Sequence, residues 1–397
     1  MLLKITDFGP IVHSLIGFQK VTVFIGPQGS GKSTVAKLYS LFMWLEKRLI
    51  RGLTTIAQIK RNSYFRTKLC GYHGLNSFFR DSSEIFFEGQ HYTFDYKNGQ
   101  ISIDKKNQTE NLEVYKVMYV PSDRNALSSL DDLIGIKHIP EYLKSFRDEL
   151  NMAKKSLKEY LLPINDVQFE YNNNTKKSFL KGPGYKVNLM EASSGFQAVV
   201  PLLLVSEYLT RFVSEHKKEN REHGLSLEEF EKLQKEVSSV INNKKLSEEV
   251  KAEALSVISS KYGYSGFVNI VEEPEQNLYP ISQREVLYEL LRLNNRQPTN
   301  KLVITTHSPY IIDYLTLAIK SGEILRKGAK PENIKAILPL ESSVDSFDIN
   351  IYHLENGRSQ LLEMPAGIPS DSNSLNELLG ETNKTFEELL DIEDSIL

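Results

Sequence analysis

The run VTVFI followed by GPQGSGKST, Val21 through Thr34, constrains this chain more than any other stretch. The first five residues read as a buried strand, and KSTVAKLYSLFMWL after the loop reads as a helix. Between them, Gly26, Gly31, Lys32 and Ser33 fit the spacing G-x-x-x-x-G-K-[ST]. Glycines let successive backbone N–H groups curl around a phosphate, and the helix that follows adds its positive end. The loop Gly26, Pro27, Gln28, Gly29, Ser30, Gly31, Lys32, Ser33 and Thr34 is therefore assigned to the phosphates of a nucleotide. Lys32 is expected to reach the β- and γ-phosphates, and the Ser33 hydroxyl to help hold Mg²⁺. An unliganded Gly-rich turn would not call for a strand before it and a helix after it.

Two later stretches carry the groups that hydrolysis needs. In VNIVEEPEQNLYP (268–280) an apolar strand ends in paired carboxylates. Glu272, at the strand tip, would hold Mg²⁺ through its water shell, and Glu273 would orient and deprotonate the attacking water. Standing alone, the pair could be a charged strand-to-helix loop. In LVITTHSP (302–309) His307 lies just past the next buried strand, where it could reach the γ-phosphate and sense hydrolysis; a lone histidine is more often structural. A fourth stretch, SSGFQ (193–197), opens a helix, so Ser194 and Gly195 could form an anion site at its N-terminus, although Ser-Ser-Gly is also a common loop.

Composition narrows the setting. The chain has 397 residues, room for two or three domains, and a net charge of −3, which argues against a dedicated nucleic-acid binder while leaving a local basic patch open. No apolar run approaches the ~18 residues of a membrane span. The N-terminus has neither the basic start nor the long apolar stretch of a secretory signal. Cys70 is the single cysteine, so it forms no intrachain disulfide and reads as a buried thiol. A cytoplasmic protein is expected.

Along the chain, LLKITDF and KVTVFI read as the first strands. Residues 82–120 read as antiparallel, with an Asn-Gly turn at 97–100. A helix is expected over 139–162, a hairpin from 166 to 190, and a buried helix from the SSGFQ segment onward. Residues 216–263 are charge-rich but balanced. Leu227, Phe230, Val237 and Val240, then Leu246, Val250, Ala254, Val257 and Ile258, recur at helical spacing, and Ser226 with Glu229 forms a capping-box pattern. This predicts a helical hairpin that turns at Asn242–Lys245. It is open whether the hairpin is a solvated spacer or a contact arm for a partner subunit. The buried strands GFVNIV and KLVITT, separated by a helix at 281–293, predict a parallel sheet. The acidic tail reads as short surface helices.

Taken together, DFGPI, GPQGSGKST, EASSGFQ, EEPEQNLYP and TTHSP resemble the ATP-binding-cassette (ABC) ATPases of the structural-maintenance-of-chromosomes (SMC), RecF and OLD type, tightly over residues 1–45 and 185–315. The resemblance implies an α/β fold: an ABC-type ATPase head (P-loop NTPase) with a mixed sheet, an antiparallel β subdomain and an inserted helical hairpin. The expected parts are an N-terminal lobe (1–215), the hairpin (216–263), a C-terminal lobe with Walker B and the histidine switch (264–365) and the tail (366–397). It further implies a head dimer closing on ATP and Mg²⁺, in which Ser194 contacts the γ-phosphate held by the other protomer and PEQNL crosses between the sites. The signature departs from LSGGQ, with Phe196 in place of a glycine, and no Q-loop glutamine is evident. YVPSDRN (119–125) occupies that place, so Asp123 or Arg124 could substitute, or the two could pair in a buried turn. The residues after TTHSP are too few for the Toprim nuclease domain of the OLD group. The chain looks most like the stand-alone ATPase subunits of bacterial anti-phage systems, such as that of PARIS, which is encoded beside a separate Toprim nuclease. The expected partners are a second copy and a separate effector, with a phage-encoded trigger and DNA as further candidates and no membrane. The alternatives are a DNA-repair or DNA-end-binding ATPase and a non-hydrolysing, ATP-gated scaffold.

Overall fold

The computed structural model describes residues 1–394 except 62, 108–111, 130–138, 216–224, 365–368 and 370–373. Parts of the expected insert and tail therefore lie outside the described residues. The strands are β1 (Leu2–Phe8), β2 (Ile11–Gly17), β3 (Val21–Ile25), β4 (Phe79–Glu88), β5 (Tyr92–Lys97), β6 (Gln100–Lys105), β7 (Tyr115–Val120), β8 (Glu159–Leu161), β9 (Gln168–Asn172), β10 (Lys177–Gly182), β11 (Tyr185–Asn188), β12 (Gly266–Glu272), β13 (Lys301–Thr305), β14 (Ile349–Glu355) and β15 (Arg358–Leu361). The longer helices are α1 (Lys32–Ile50), α2 (Glu141–Leu157), α3 (Ser194–Glu215), α4 (Leu227–Ile241), α5 (Glu248–Tyr262), α6 (Pro280–Asn295), α7 (Pro309–Arg326) and α8 (Ser374–Asp394).

One 11-stranded sheet runs in the order β6-β5-β4-β1-β2-β15-β14-β3-β13-β12-β7, and β8 to β11 form a second, four-stranded sheet. Strands β14, β3, β13, β12 and β7 are mutually parallel, whereas β6, β5, β4, β1 and β2 form an antiparallel wing. Of these, β3, β12 and β13 are buried along nearly their whole length because both faces are covered. Alternate residues serve two cores: Val21, Val23 and Ile25 of β3 enter one, and Phe24 enters the other. Helix α3 packs on the first core through Leu202, Leu203 and Val205, and α1 on the second through Val35, Leu38 and Phe42.

Several expectations need correction. β7 belongs to the parallel part of the sheet, paired with β12, and not to the antiparallel run before it. The helix expected over 139–162 ends at Leu157; Lys158 takes φ +54°, and Glu159–Leu161 turns back to pair with β9. The tail from Ser374 is one 21-residue helix. Strand β2 and the β14–β15 pair carry weak alternation and are not evident from the sequence. The Asn-Gly turn forms as read, with Asn98 and Gly99 both at positive φ. The hairpin also forms: α4 and α5 pack side by side, and the Ser226–Glu229 capping box is complete. Among the described residues one helix, α3, is long and apolar enough to cross a membrane; 78% of the stretch concerned is buried inside the protein, as in a core helix.

Candidate active site

Three neighbouring parallel strands deliver the candidate groups to one edge. β12 and β13 are in register with Glu272 opposite Thr305, and β13 and β3 with Thr305 opposite Phe24. The loops leaving their carboxyl ends therefore emerge together, as ligand-binding loops of parallel sheets do. They carry Gly26–Thr34, Glu273 and His307. Backbone bonds tie the three ends: Glu273 N–H donates to Thr305 O at 2.9 Å, and Thr306 N–H to Phe24 O at 2.9 Å. Gly26 has φ +136°, and a Cβ there would lie 2.0 Å from the carbonyl oxygen of Leu354, so β14 leaves room for glycine alone.

The loop, Glu273, Thr305 and His307 line a cleft of about 230 Å³, with Pro10 and Phe78 at its rim. The Lys32 ammonium donates to Gly26 O (2.8 Å) and Pro27 O (2.9 Å) and lies 3.4 Å from His307 Nδ1. On the other side of the ring, His307 Nε2 is 3.7 Å from Glu273 Oε1. Cation, imidazole and carboxylate thus form a continuous row. Burial pulls Lys32 down to about 8, against the pull of Glu273, Glu275 and Glu272 the other way. Burial, then the Lys32 charge, also lowers His307, so its imidazole is neutral near pH 7.

Glu272 is 4% exposed, and its Oε1 has no hydrogen-bond partner among the described residues. An orphaned buried carboxylate oxygen is costly unless a cation, water or hydroxyl meets it; the buried Tyr119 hydroxyl is its neighbour here, and water of a Mg²⁺ shell is the other group that would satisfy it. Ser33, exposed at the start of α1, is the other candidate oxygen. No group of three His, Cys, Asp or Glu that could hold a metal ion by themselves occurs among the described residues. Mg²⁺ in such sites relies chiefly on phosphate and water; of the two expected oxygen donors, Ser33 lines the cleft and Glu272 lies behind Glu273, outside the lining.

Ser194 and Gly195 do not line this cleft. Ser194 is exposed as the first residue of α3, and Gly195 is buried under the loop after β12. A Cβ on Gly195 would lie 2.7 Å from Asn277 O. Gln197 turns inward instead, donating to Leu189 O and Met190 O.

Two residues matter more than the sequence indicated. Arg124 is fully buried and donates to Pro121 O (3.0 Å), Ala198 O (3.0 Å), Glu272 O (2.6 Å) and Glu273 O (2.7 Å). It clamps α3 to both carboxylate residues and does not face the cleft. The expected Asp123–Arg124 pair is absent among the described contacts; Asp123 accepts from Tyr142 instead. Glu273 itself has φ +44°, a strained backbone that the Arg124 and Thr305 contacts hold in place. Glu275 accepts from Thr306 Oγ1 (2.8 Å) and His307 N–H (2.7 Å), which sets the histidine loop. No local pattern announces either role, because both depend on partners far away in sequence.

The phosphate loop, the paired carboxylates one strand beyond the neighbour, and the histidine between them decide the architecture. The fold is a mixed α/β sheet with a phosphate loop, paired carboxylates and a histidine gathered at one edge. A family model described as "AAA domain, putative AbiEii toxin, Type IV TA system" matches residues 268–313, the stretch from β12 to the start of α7. No curated protein matches the chain. Among solved structures, an SMC head bound to the C-winged helix domain of ScpA is similar at 10% identity and TM-score 0.40, covering 91% of this chain and 96% of that one. The SMC head domain from Thermotoga maritima is similar at 13% identity and TM-score 0.34, covering 91% and 98%. The recombination mediator protein RecF of the RecFOR pathway, as RecF-ATPrS, is similar at 11% identity and TM-score 0.27, covering 91% and 98%. These likenesses are distant, and the reading of the site rests on its own residues.

Proposed function

We propose that the chain hydrolyses ATP to ADP and phosphate in the cleft between Lys32 and Glu273. The row Lys32–His307–Glu273, with spacings of 3.4 and 3.7 Å, carries this reading. The loop amides and Lys32 would hold the β- and γ-phosphates. Glu273 would take a proton from water as its oxygen attacks the γ-phosphorus and the bond to the β-phosphate oxygen breaks. His307, neutral and between the two, is placed to hydrogen-bond the γ-phosphate and so to register its loss. Mg²⁺, when bound by Ser33 and through water by Glu272, would offset phosphate charge. Arg124 is a positioning residue, holding the backbone of Glu273.

Ser194 is exposed and outside its own chain's cleft, which supports a role against a nucleotide held by a second copy. ATP occupancy would then set the equilibrium between open and closed pairs. The description of the matched family names a putative toxin of a toxin–antitoxin system. That supports a toxin–antitoxin setting alone; within it we propose a sensor and scaffold controlling a separate effector, a nuclease, in anti-phage defence. The test is Lys32→Ala with phosphate release as the readout. Turnover should fall by about 10²–10³-fold, as when one preorganised donor to developing charge is lost. Wild-type turnover would overturn the proposal.

A further inference from the structure

On α1, Lys37, Ser40, Leu41, Trp44 and Lys47 recur every three or four residues and share a face. That face borders a cavity of about 410 Å³ that has no lining residue in common with the phosphate cleft. Its walls include Trp44 of α1, Tyr72 and His73 from the segment before β4, Tyr119 of β7 and Tyr142 of α2, with Lys68 exposed at the mouth. Aromatic clusters are common in cores, but cores are packed to crystal-like density and leave few voids. Here the rings surround open space of the size that holds small ligands, about 300–1,000 Å³.

The rings form a braced surface. His73 stacks on Tyr142 at 6.1 Å and 18°, and meets Tyr72 and Tyr119 edge-on at 4.8 and 5.0 Å. The Lys37 ammonium lies 6.0 and 5.4 Å from the centroids of Tyr119 and Tyr142. His73 is 3% exposed, yet its Nδ1 has no hydrogen-bond partner among the described residues. Burial, then the Lys37 charge, pulls its imidazole down to about 3, so the ring stays neutral and offers both a donor and an acceptor. Of the lysines in the lining, Lys47 faces Glu229 and Lys116 pairs with Glu149. Lys68 has no carboxylate partner among the described salt bridges.

We infer that this pocket binds an unpaired nucleotide, its base stacked on Trp44 and the tyrosine wall that His73 braces, and its phosphate met by Lys68. Stacking platforms with a cation at the rim are how proteins hold single nucleotides without a duplex. A free mononucleotide and the end of a single strand share this chemistry. The inference does not depend on hydrolysis in the cleft.

Trp44 is the chain's single tryptophan, so its fluorescence reports directly on the pocket. The full-length protein, with magnesium tripolyphosphate filling the phosphate cleft, is titrated with AMP and with a short 5′-phosphorylated oligoadenylate. Saturable quenching is expected. Lys68→Glu, at an exposed site, should weaken it about tenfold, through loss and reversal of a charge-assisted phosphate contact, with an unchanged thermal melt. Equal affinity for AMP and the oligomer would identify a free nucleotide as the occupant; an oligomer bound about tenfold tighter would identify a strand end. Absence of saturable quenching by either probe, or affinity unaffected by Lys68→Glu, would overturn the inference.

Discussion

Glu273 and Glu229 are both carboxylates fixed in unusual settings, but the structures that fix them are opposite in kind. Glu273 sits at the tip of β12, every residue of which is buried, and its strained backbone is held by Arg124 and Thr305. Glu229 belongs to the helical hairpin, where the buried residues are polar or amphipathic: Glu229 in α4 and Tyr262 in α5. The hairpin's Leu227, Ile241, Val250 and Val257 are exposed. Apolar burial therefore fixes the active-site edge, while an ionic joint fixes the hairpin. That joint is Arg51, at the end of α1, donating to Glu229 Oε1 (2.6 Å), Tyr264 Oη (3.1 Å) and Tyr262 O (2.9 Å). The helix that begins with Lys32 at the phosphate loop thus ends at the hairpin's foot.

The largest effect should come from the first region. Glu273→Gln keeps the size of the side chain but cannot accept the proton of water. Hydrolysis should fall about 10²–10⁴-fold while ATP still binds. Phosphate release and an equilibrium binding assay measure the two separately. Unchanged turnover would move the role of base to Glu272 and end the contrast at its source.

The second effect tests the ionic joint. Glu229→Ala leaves the buried Arg51 guanidinium without its carboxylate, a loss of about 3–5 kcal/mol for a buried pair. Hydrogen exchange should show faster opening of α4 and α5, with β3 and β12 protected as before. The pH dependence has a definite sign. Burial pushes the Glu229 carboxyl up, but Lys47 and Arg51 pull it down to about 2 from its ordinary 4.5. Its contribution is complete above pH 4.5 and disappears as pH falls towards 2. Hairpin opening that ignores this window would show that the joint is not what holds it.

What was legible in the sequence divides along the same line. Gly26–Thr34, Glu273 and His307 could be placed because each follows a buried strand, and strand-end loops of a parallel sheet converge. The capping box at Ser226 and Glu229 was legible because it is a four-residue pattern. The second duty of Glu229, pairing with Arg51, was not, since the two are 178 residues apart. Arg124 lay in the expected loop, but its four carbonyl partners come from three segments, and no spacing encodes that. β8 was hidden inside a helical pattern, because three residues pairing with β9, the next strand along the chain, outweigh local propensity.

A third effect returns to the cleft. In the free protein Lys32 is held at about 8, and a bound triphosphate would favour its charged form. Above pH 8 nucleotide binding must therefore draw in a proton, and affinity should fall by about tenfold per pH unit until the bound form also titrates. Folding stability moves the other way. The unfolded chain, with an ordinary lysine at 10.5, binds more protons than the folded one between pH 8 and 10.5, so this group's contribution rises with pH. Calorimetric titration and denaturant melts across that range separate the two slopes. If both fell together, general alkaline loss of structure would explain them, and Lys32 would not.

The smallest effect bears on the hairpin's exposed apolar residues. Leu227 is 74% exposed, although it opens α4 beside the buried Glu229. In the sheet core, trimming a leucine costs about 2–5 kcal/mol, because transfer and cavity terms add. Neither applies to Leu227, which loses little contact with water on folding. Leu227→Ser should therefore change monomer stability by no more than about 0.5 kcal/mol in urea melts. One residue further along the chain, Glu228 accepts a bidentate bond from Arg48 at 2.8 and 2.9 Å, with the arginine side chain only 21% exposed, so this pair belongs to the ionic joint and not with Leu227. A cost for Leu227→Ser above about 1 kcal/mol, growing with protein concentration, would mean that an assembled copy covers the residue. The hairpin would then have an apolar attachment after all, made to another chain, and the contact-arm reading would displace that of a spacer.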